Sequence, residues 1–370
     1  MKTADNHDRN RLRHWLRICG INFVVLLAGL IVIELIFGGW VFGENFGTLV
    51  IPKNFTRNYD VSKLYGGTIS RYKRDKYGLR GIYDDPSKID ILTVGGSTTN
   101  EIFVSEGQTW SDVLARKFKQ AGKNIRVVNA GVDGQSTIGH IKNFDLWFPK
   151  IPHLKARYVL AYIGINDLAV IITGATNKQD NMNAKRRKFK QFLLNNSVLY
   201  SLFRNIRGIL RAKKANLIHS NKSNDSEQWV KAIKRPDVKK TAERMTLPLK
   251  KYAVRLRVFI NRIREFGAIP VLVTQSWGNY RITDGSLWGT LKSDGTIDTG
   301  FYAKVTALNQ ATLKICKTEK ITCFDLASEL ELGDGDRYDG LHTTPKGSEK
   351  IGNYLFEKLN PIIQQAPLKQ

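Results

Sequence analysis

An α/β fold with a central parallel sheet is predicted by the alternation of short apolar runs and amphipathic segments from residue 88 onwards. Five runs have the length and composition of buried strands: 89–94, 125–129, 158–163, 269–274 and 321–326. Four segments with helical spacing separate or follow them: 109–120, 137–147, 301–317 and 345–359. Strands joined through helices imply parallel pairing, with helices on both faces of the sheet.

Local signals support the individual elements. The run 89–94 stops at two glycines. The segment 109–120 places four large apolar residues on one helical face and is followed by Gly122: Trp110, Val113, Leu114 and Phe118. Pro345 stands near the start of the last helix, where a missing backbone N–H costs nothing.

Four short blocks punctuate this alternation, and three of them begin where a predicted strand ends. They are 95–99 (GGSTT), 129–131 (NAG), 164–167 (GIND) and 339–342 (DGLH). The carboxyl ends of parallel strands share one edge of the sheet, where sites of α/β proteins lie. We therefore expect the blocks to meet at that edge.

The blocks contain the groups needed for acyl chemistry at a serine. Ser97 is the predicted nucleophile, although a serine leading into a helix also fits an N-cap. The chain has six histidines, at 7, 14, 140, 153, 219 and 342. Only His342 stands in a polar loop with a carboxylate three residues before it. We predict that His342 is the base and that Asp339 fixes its tautomer.

An oxyanion requires preorganised hydrogen-bond donors. The candidates are the backbone N–H groups of Ser97 and Gly131 and the side-chain amide of Asn166. Turn geometry is the alternative explanation for Gly131 and Gly134, and an Asx turn is the alternative for Asn166.

In these blocks the chain resembles the SGNH, or GDSL-type, hydrolase superfamily, over about residues 88–176 and 265–360. The resemblance implies a flavodoxin-like three-layer sandwich without metal or organic cofactor. By position it implies Ser97, His342 and Asp339 as catalytic residues, with Ser97, Gly131 and Asn166 forming the oxyanion hole. Gly96 stands where the family usually has aspartate. The segment 75–80 resembles a lead-in of anchored members and of alginate-type O-acetyltransferases, and is expected to support the site.

Residues 18–42 are almost continuously apolar, which is enough to cross a hydrocarbon core of about 30 Å. Four arginines in the basic tail 1–17 orient the N-terminus to the cytoplasm: Arg9, Arg11, Arg13 and Arg17. We predict a single-pass anchor with the catalytic domain in the periplasm or at the cell surface. A cleaved signal peptide is the alternative. Glu34 lies towards the outer end of the run, where it snorkels or meets a helix partner.

The remaining chain divides into an irregular lead-in, 43–87, and a hydrolase domain, 88–365, interrupted by an insertion, 175–250. The net charge is +25, and residues 185–257 hold 21 Lys+Arg and 4 Asp+Glu. Within the insertion, the sequence predicts a basic amphipathic helix over residues 197–214. This helix packs on the main domain, lies on an anionic membrane, or does both. In an oxidising space Cys316 and Cys323 pair, or they remain two buried thiols.

These features predict an esterase that removes acyl groups, most simply acetyl, from a cell-envelope or exported glycan. An O-acyltransferase with the same residues and a lipase or thioesterase are the alternatives. The predicted partners are the ester substrate and the membrane, which is contacted through 18–42 and, where the insertion lies on the membrane, through 197–214. A binding protein acting through the basic insertion is a further class. Nucleic acid is not expected, because no recognised nucleic-acid module is present.

Overall fold

A computed structural model describes residues 2–40, 51–67, 69–172, 189, 192–193, 196–214, 228–292, 294–299 and 301–365. The chain forms two compact units. The first comprises Met1–Val50 and Gln179–Arg211, and the second comprises Ile51–Lys178 and Ala212–Gln370. The basic cluster 185–188, His219 and residues 43–50 of the lead-in fall outside the described residues.

The elements are numbered along the described chain. The helices are α1 (Lys2–Phe37), α2 (Ser62–Tyr65), α3 (Ser97–Asn100), α4 (Trp110–Gln120), α5 (Thr137–Leu146), α6 (Ile165–Ile172), α7 (Val198–Lys214), α8 (Val238–Arg244), α9 (Thr246–Glu265), α10 (Tyr302–Glu319), α11 (Leu326–Glu329) and α12 (Pro345–Gln365). The strands are β1 (Phe55–Asp60), β2 (Ile69–Arg74), β3 (Ile89–Gly95), β4 (Val127–Asn129), β5 (Ala156–Tyr162), β6 (Trp229–Lys231), β7 (Ile269–Val273), β8 (Tyr280–Thr283), β9 (Ser286–Leu291), β10 (Ile297–Asp298) and β11 (Thr322–Phe324).

The second unit is built on a five-stranded sheet in the order β11-β7-β5-β3-β4. Every neighbouring pair in it is parallel. All five strands coincide with the runs predicted from the sequence, to within a few residues at their ends. The predicted α/β class with a central parallel sheet is therefore confirmed.

Helices cover both faces of this sheet. On one face, α4 and α12 pack on alternate strand residues in one buried apolar cluster, which includes Ile91, Leu114 and Leu355. The intervening strand residues, such as Leu92, are also fully buried, because successive side chains point to opposite faces. On that second face α9 packs against α5, α10 and β7. The layers hold the strand ends rigidly for the loops that follow.

The lead-in is more regular than the sequence analysis predicted. β1 and β2 form an antiparallel hairpin over Phe55–Arg74, and this hairpin belongs to the second unit, which begins at Ile51. Its composition is rich in polar and aromatic residues, so the period-two pattern is weak. Tertiary contacts rather than local propensity decide its conformation.

The insertion is also shorter than predicted, because α9 begins at Thr246 and is a regular layer of the main fold. Among its described residues, β6 joins an additional antiparallel sheet with β8, β9 and β10. This small sheet brings together strands that are more than fifty residues apart. Local sequence patterns do not predict such a pairing.

Cys316 and Cys323 form a disulfide, with Cα atoms 6.1 Å apart. The bond links the last turns of α10 to β11 in the second unit. Of the two possibilities that the sequence left open, the structure therefore contains the paired form.

In the first unit, His14–Phe37 of α1 is long and apolar enough to cross a membrane. None of the residues in its most hydrophobic stretch is buried. A signal sequence near the N-terminus has the same properties. Glu34 has a helix partner: its carboxylate accepts hydrogen bonds from Ser197 Oγ and from the first backbone N–H groups of α7.

Candidate active site

Ser97 opens α3 directly after β3, in a turn that only glycines allow. A Cβ on Gly95 would stand 2.0 Å from Thr99 Oγ1 and 2.6 Å from the Tyr162 carbonyl oxygen. Gly96, not Ser97, occupies the N-cap position, so the capping explanation of Ser97 is wrong. The tight turn places the Ser97 hydroxyl at the carboxyl end of β3, which lies between β5 and β4 in the sheet.

The structure brings Ser97, His342 and Asp339 into one hydrogen-bonded line. His342 Nε2 lies 2.8 Å from Ser97 Oγ, and His342 Nδ1 lies 2.7 Å from Asp339 Oδ2. The other carboxylate oxygen, Oδ1, accepts the backbone N–H groups of Leu341 and His342 at 2.8 and 2.7 Å. The three side chains are 4%, 3% and 5% exposed in that order. A base can therefore take the Ser97 proton in a site from which water is largely excluded.

Electrostatics keeps Asp339 ionised. Burial acts to raise the pKa of this carboxyl, but the charge and ring hydrogen bond of His342 and the two backbone N–H groups outweigh burial, so the pKa lies below its ordinary value. The Tyr338 ring stacks on the imidazole, with centroids 5.7 Å apart and planes 13° apart. An ionised carboxylate on one side and a ring on the other fix both the tautomer and the plane of His342.

Asn166 lies beside the nucleophile turn. One of its amide hydrogens is donated to the Gln135 carbonyl oxygen, with Nδ2 at 2.8 Å. An amide nitrogen carries two hydrogens, so the second is left for a ligand. A Cβ on Gly96 would stand 2.1 Å from this nitrogen. The missing side chain at Gly96 thus makes room for the Asn166 amide next to Ser97.

The structure places Gly131 differently from a simple oxyanion donor. Its backbone N–H donates to Asn129 Oδ1 at 2.8 Å, and its carbonyl oxygen accepts from Arg74 Nη2 at 2.5 Å. A Cβ at this position would stand 2.4 Å from Asn100 N. In this arrangement Gly131 is therefore a close-packing position, and its N–H already has a partner. Three residues later Gly134 turns the loop with a φ of +71°.

Two buried arginines from the lead-in hold the nucleophile turn. Arg74 at the end of β2 donates to Asn100 Oδ1 at 2.7 Å as well as to Gly131. Arg80 donates to the backbone carbonyls of Asn100 and Glu101 and forms an ion pair with Glu106 at 2.6 Å. The segment 75–80 therefore supports the site, as its resemblance to the lead-in of anchored members implied. The sequence analysis did not single out Arg74, because the alternating pattern that it forms with Tyr72 on β2 is recognisable only in the folded hairpin.

Glu101 is a second carboxylate that the sequence analysis missed. It ends α3 and accepts hydrogen bonds from Thr343 Oγ1 at 2.8 Å, Ser348 Oγ at 2.5 Å and the Trp110 backbone N–H at 2.8 Å. Burial raises its pKa to about 7, although the three hydrogen bonds oppose this. It joins the serine turn to the segment that follows His342. The hydroxyls at 343 and 348 have no chemical signature in the sequence that would reveal this link.

Another histidine of the second unit, His140, takes part in a different hydrogen bond. His140 is buried in α5 beside Gln135 Oε1 at 3.1 Å, and burial lowers its pKa to about 3. Asp167, next to Asn166, accepts the Thr137 N–H at 2.9 Å and pairs with Arg255 at 3.2 Å, which ties α6 to α5. Within the described residues, no group of three or more His, Cys, Asp or Glu side chains could hold a metal ion.

This fold and this site define the class of serine ester hydrolases. Residues 93–350 match the GDSL-like lipase/acylhydrolase family, and the chain belongs to that family. The predicted SGNH or GDSL-type relationship is thus confirmed, and the protein is an ester-bond hydrolase. No curated protein sequence matches the chain.

Several solved structures resemble it. TesA is 14% identical, over 74% of this chain and 99% of that chain, with a TM-score of 0.42. The acetylxylan esterase Axe2 from Geobacillus stearothermophilus is 10% identical, over 74% and 96%, with a TM-score of 0.42. The psychrotrophic esterase EstA from Pseudoalteromonas sp. is 13% identical, over 75% and 99%, with a TM-score of 0.39.

Proposed function

We propose that the protein is a membrane-anchored serine esterase that removes short acyl groups, above all acetyl, from a cell-envelope or exported polysaccharide. The observation that carries this proposal is the line Ser97 Oγ–His342 Nε2 at 2.8 Å and His342 Nδ1–Asp339 Oδ2 at 2.7 Å. Ser97 attacks the ester carbonyl while His342 takes its proton. As the ester C–O bond breaks, His342 gives that proton to the departing sugar oxygen, which leaves as a hydroxyl, and water releases the acyl group from Ser97 by the same steps.

The oxyanion formed in each step requires donors that are already in place. We assign this role to the Ser97 backbone N–H, in the first turn of α3, and to the second amide hydrogen of Asn166. Gly131 N–H would join them only by leaving Asn129 Oδ1.

Two features support the substrate class. The Ser97 side chain is almost completely buried, which leaves little room for a long acyl chain and favours acetyl. The apolar run of α1, with the basic tail before it, supports a location of the second unit outside the cytoplasm, provided that the run remains as an anchor. The esters present there include acylated surface and secreted glycans, whose released alcohol is a sugar hydroxyl.

A fluorophosphonate probe tests the nucleophile on the purified full-length chain. We expect stoichiometric labelling that Ser97→Ala abolishes and Ser105→Ala, a control on the neighbouring surface loop, leaves intact. Labelling that persists in Ser97→Ala contradicts the assigned mechanism.

Product analysis tests the reaction. With an O-acetylated polysaccharide we expect free acetate, lost in Ser97→Ala. Acetyl groups that move to an added glycan acceptor instead would make the protein an O-acyltransferase, and hydrolysis of long-chain esters alone would make it a lipase or thioesterase. Intact-mass measurement of protein extracted from membranes distinguishes an uncleaved anchor from a cleaved signal peptide.

A further inference from the structure

The first unit contains an unusual junction between the apolar helix and the basic segment. The Glu34 carboxylate, near the end of the candidate span, accepts four hydrogen bonds: from Ser197 Oγ at 2.6 Å, Leu199 N at 3.0 Å, Val198 N at 3.2 Å and Trp40 Nε1 at 2.8 Å. It therefore caps α7 from a different part of the chain, where a negative charge also complements the helix dipole. The junction explains why an ionisable residue is present in the apolar run.

Further contacts fix α7 to the end of α1. The Gly39 N–H donates to the Asn196 carbonyl oxygen at 2.8 Å, and the Trp40 ring meets Phe192 edge-on at 5.5 Å. Ser197 Oγ, which is bonded to Glu34, also accepts the Tyr200 N–H at 3.0 Å. The first turn of α7 is therefore held at the level where the candidate span ends.

The rest of α7 has two chemically different sides. At about 100° per residue, its apolar side chains fall within an arc of about 140°. Four of them are more than half exposed: Leu202 at 54%, Phe203 at 57%, Ile206 at 51% and Leu210 at 62%. Arg204 and Arg207 fall behind and beside this arc. A water-exposed face of this size on a helix that starts at the end of a membrane span needs an apolar neighbour.

From this geometry we infer that α7 is a helix at the membrane interface and that Glu34 fixes it to the anchor. The partner of this helix is an anionic phospholipid surface. Its apolar arc enters the boundary between headgroups and acyl chains, and its arginines pair with lipid phosphates. Charge complementarity supports this occupant, because residues 185–214 hold ten Lys+Arg and no Asp+Glu. The inference rests on the proposed anchor, but not on the chemistry at Ser97.

Depth measurement on the full-length chain in vesicles tests the inference. In a Cys19→Ser background, Ile206→Cys provides an attachment site for an environment-sensitive fluorophore on the apolar arc. Gly208→Cys provides the matched site, about 160° away around the helix. The remaining cysteines, Cys316 and Cys323, are disulfide-bonded. We expect nitroxide-labelled phospholipid to quench the fluorophore at 206 and not at 208, and iodide in the water to show the opposite preference.

Lipid charge and the Glu34 cap provide two further readouts. Quenching at 206 is expected to be stronger in vesicles with phosphatidylglycerol than in neutral phosphatidylcholine, and the paired change Arg204→Gln with Arg207→Gln should reduce this difference. Glu34→Ala should lower the ratio of membrane-bound to unbound α7 by about fivefold, the equivalent of one lost helix cap. Glu34→Gln, which keeps an acceptor oxygen, should lower it less.

The outcomes separate this inference from the proposed anchor. A fluorophore at Leu27→Cys, in the middle of the apolar run, reports the anchor alone. If 27 is quenched by lipid and 206 and 208 are quenched equally, the interface helix is refuted while the anchor stands. If 206 is shielded from both lipid nitroxide and iodide, protein covers the arc, either this chain or a second copy, and the lipid partner is refuted. If 27 is not quenched, the anchor itself fails.

Discussion

The amide nitrogen of Asn166 occupies the place where a side chain on Gly96 would begin, 2.1 Å from an ideal Cβ. The two residues are seventy positions apart in the sequence and come together because β3 and β5 are neighbouring parallel strands whose ends turn towards the same edge. With Asn166 placed as it is here, a side chain at position 96 requires this amide to move, whereas glycine leaves it in place.

Gly96→Ala is therefore expected to damage catalysis through Asn166. The new Cβ pushes the amide away from Ser97, and loss of one oxyanion donor costs on the order of 10²- to 10³-fold in kcat. Steady-state kinetics with a nitrophenyl acetate provide the measurement. In the Asn166→Ala background the same substitution should cost little more, since the donor is already absent. Independent, multiplying effects of the two changes would contradict the coupling.

Asp339→Asn should preserve the loop and lose most of the activity. The remaining carbonyl oxygen can still accept the N–H groups of Leu341 and His342, so the melting temperature should change little. The new amide group faces His342 Nδ1 and selects the wrong tautomer, which costs on the order of 10⁴-fold in kcat. A collapse in melting temperature together with activity would show that Asp339 acts mainly as a structural residue.

Glu101 should make stability depend on pH. Its pKa is raised by burial to about 7 in the folded protein, from 4.5. The folded state thus holds a proton that the unfolded state has lost, and stability falls as pH rises between these two values and levels off above about 7. The full effect is of the order of 3 kcal/mol.

The Glu101→Gln variant tests this dependence. Gln keeps the shape and cannot ionise, so it should become more stable relative to the parent protein as pH rises from about 5 to about 8. Denaturant unfolding across that range measures the difference. Asp167, which is also buried with a raised pKa, contributes equally to both proteins and cancels in the comparison. Parallel curves for the two proteins would show that Glu101 does not titrate in this range.

Removal of the disulfide should weaken the second unit. Closing a loop of this short length contributes about 2 kcal/mol, so Cys316→Ser with Cys323→Ser should lower the melting temperature by several degrees. Cys19→Ser, which leaves the pair intact, is the matched control. A reductant should reproduce the loss in the parent protein and have no effect on the double variant.

Much of this protein was predictable because its signals are local. The five buried strands are short apolar runs, and three of the four chemical blocks begin where such a run ends. The single Asp-x-x-His segment at 339–342 then distinguished His342 from five other histidines. Such patterns depend on the period of a strand or helix and on residue type, both of which are written in the sequence.

Other features were decided only by tertiary structure. Arg74 reaches Asn100 and Gly131 because a hairpin of weak strand pattern packs on the domain, and Glu101 meets Thr343 and Ser348 across more than two hundred residues. Gly131 donates its N–H to Asn129 rather than leaving it for a substrate. The sequence by itself determined the fold class and the family, and it singled out the residues that we propose react. The buried polar contacts that position them were left to the folded chain, because a hydrogen bond between distant segments depends on where the backbone brings its two partners and leaves no periodic trace.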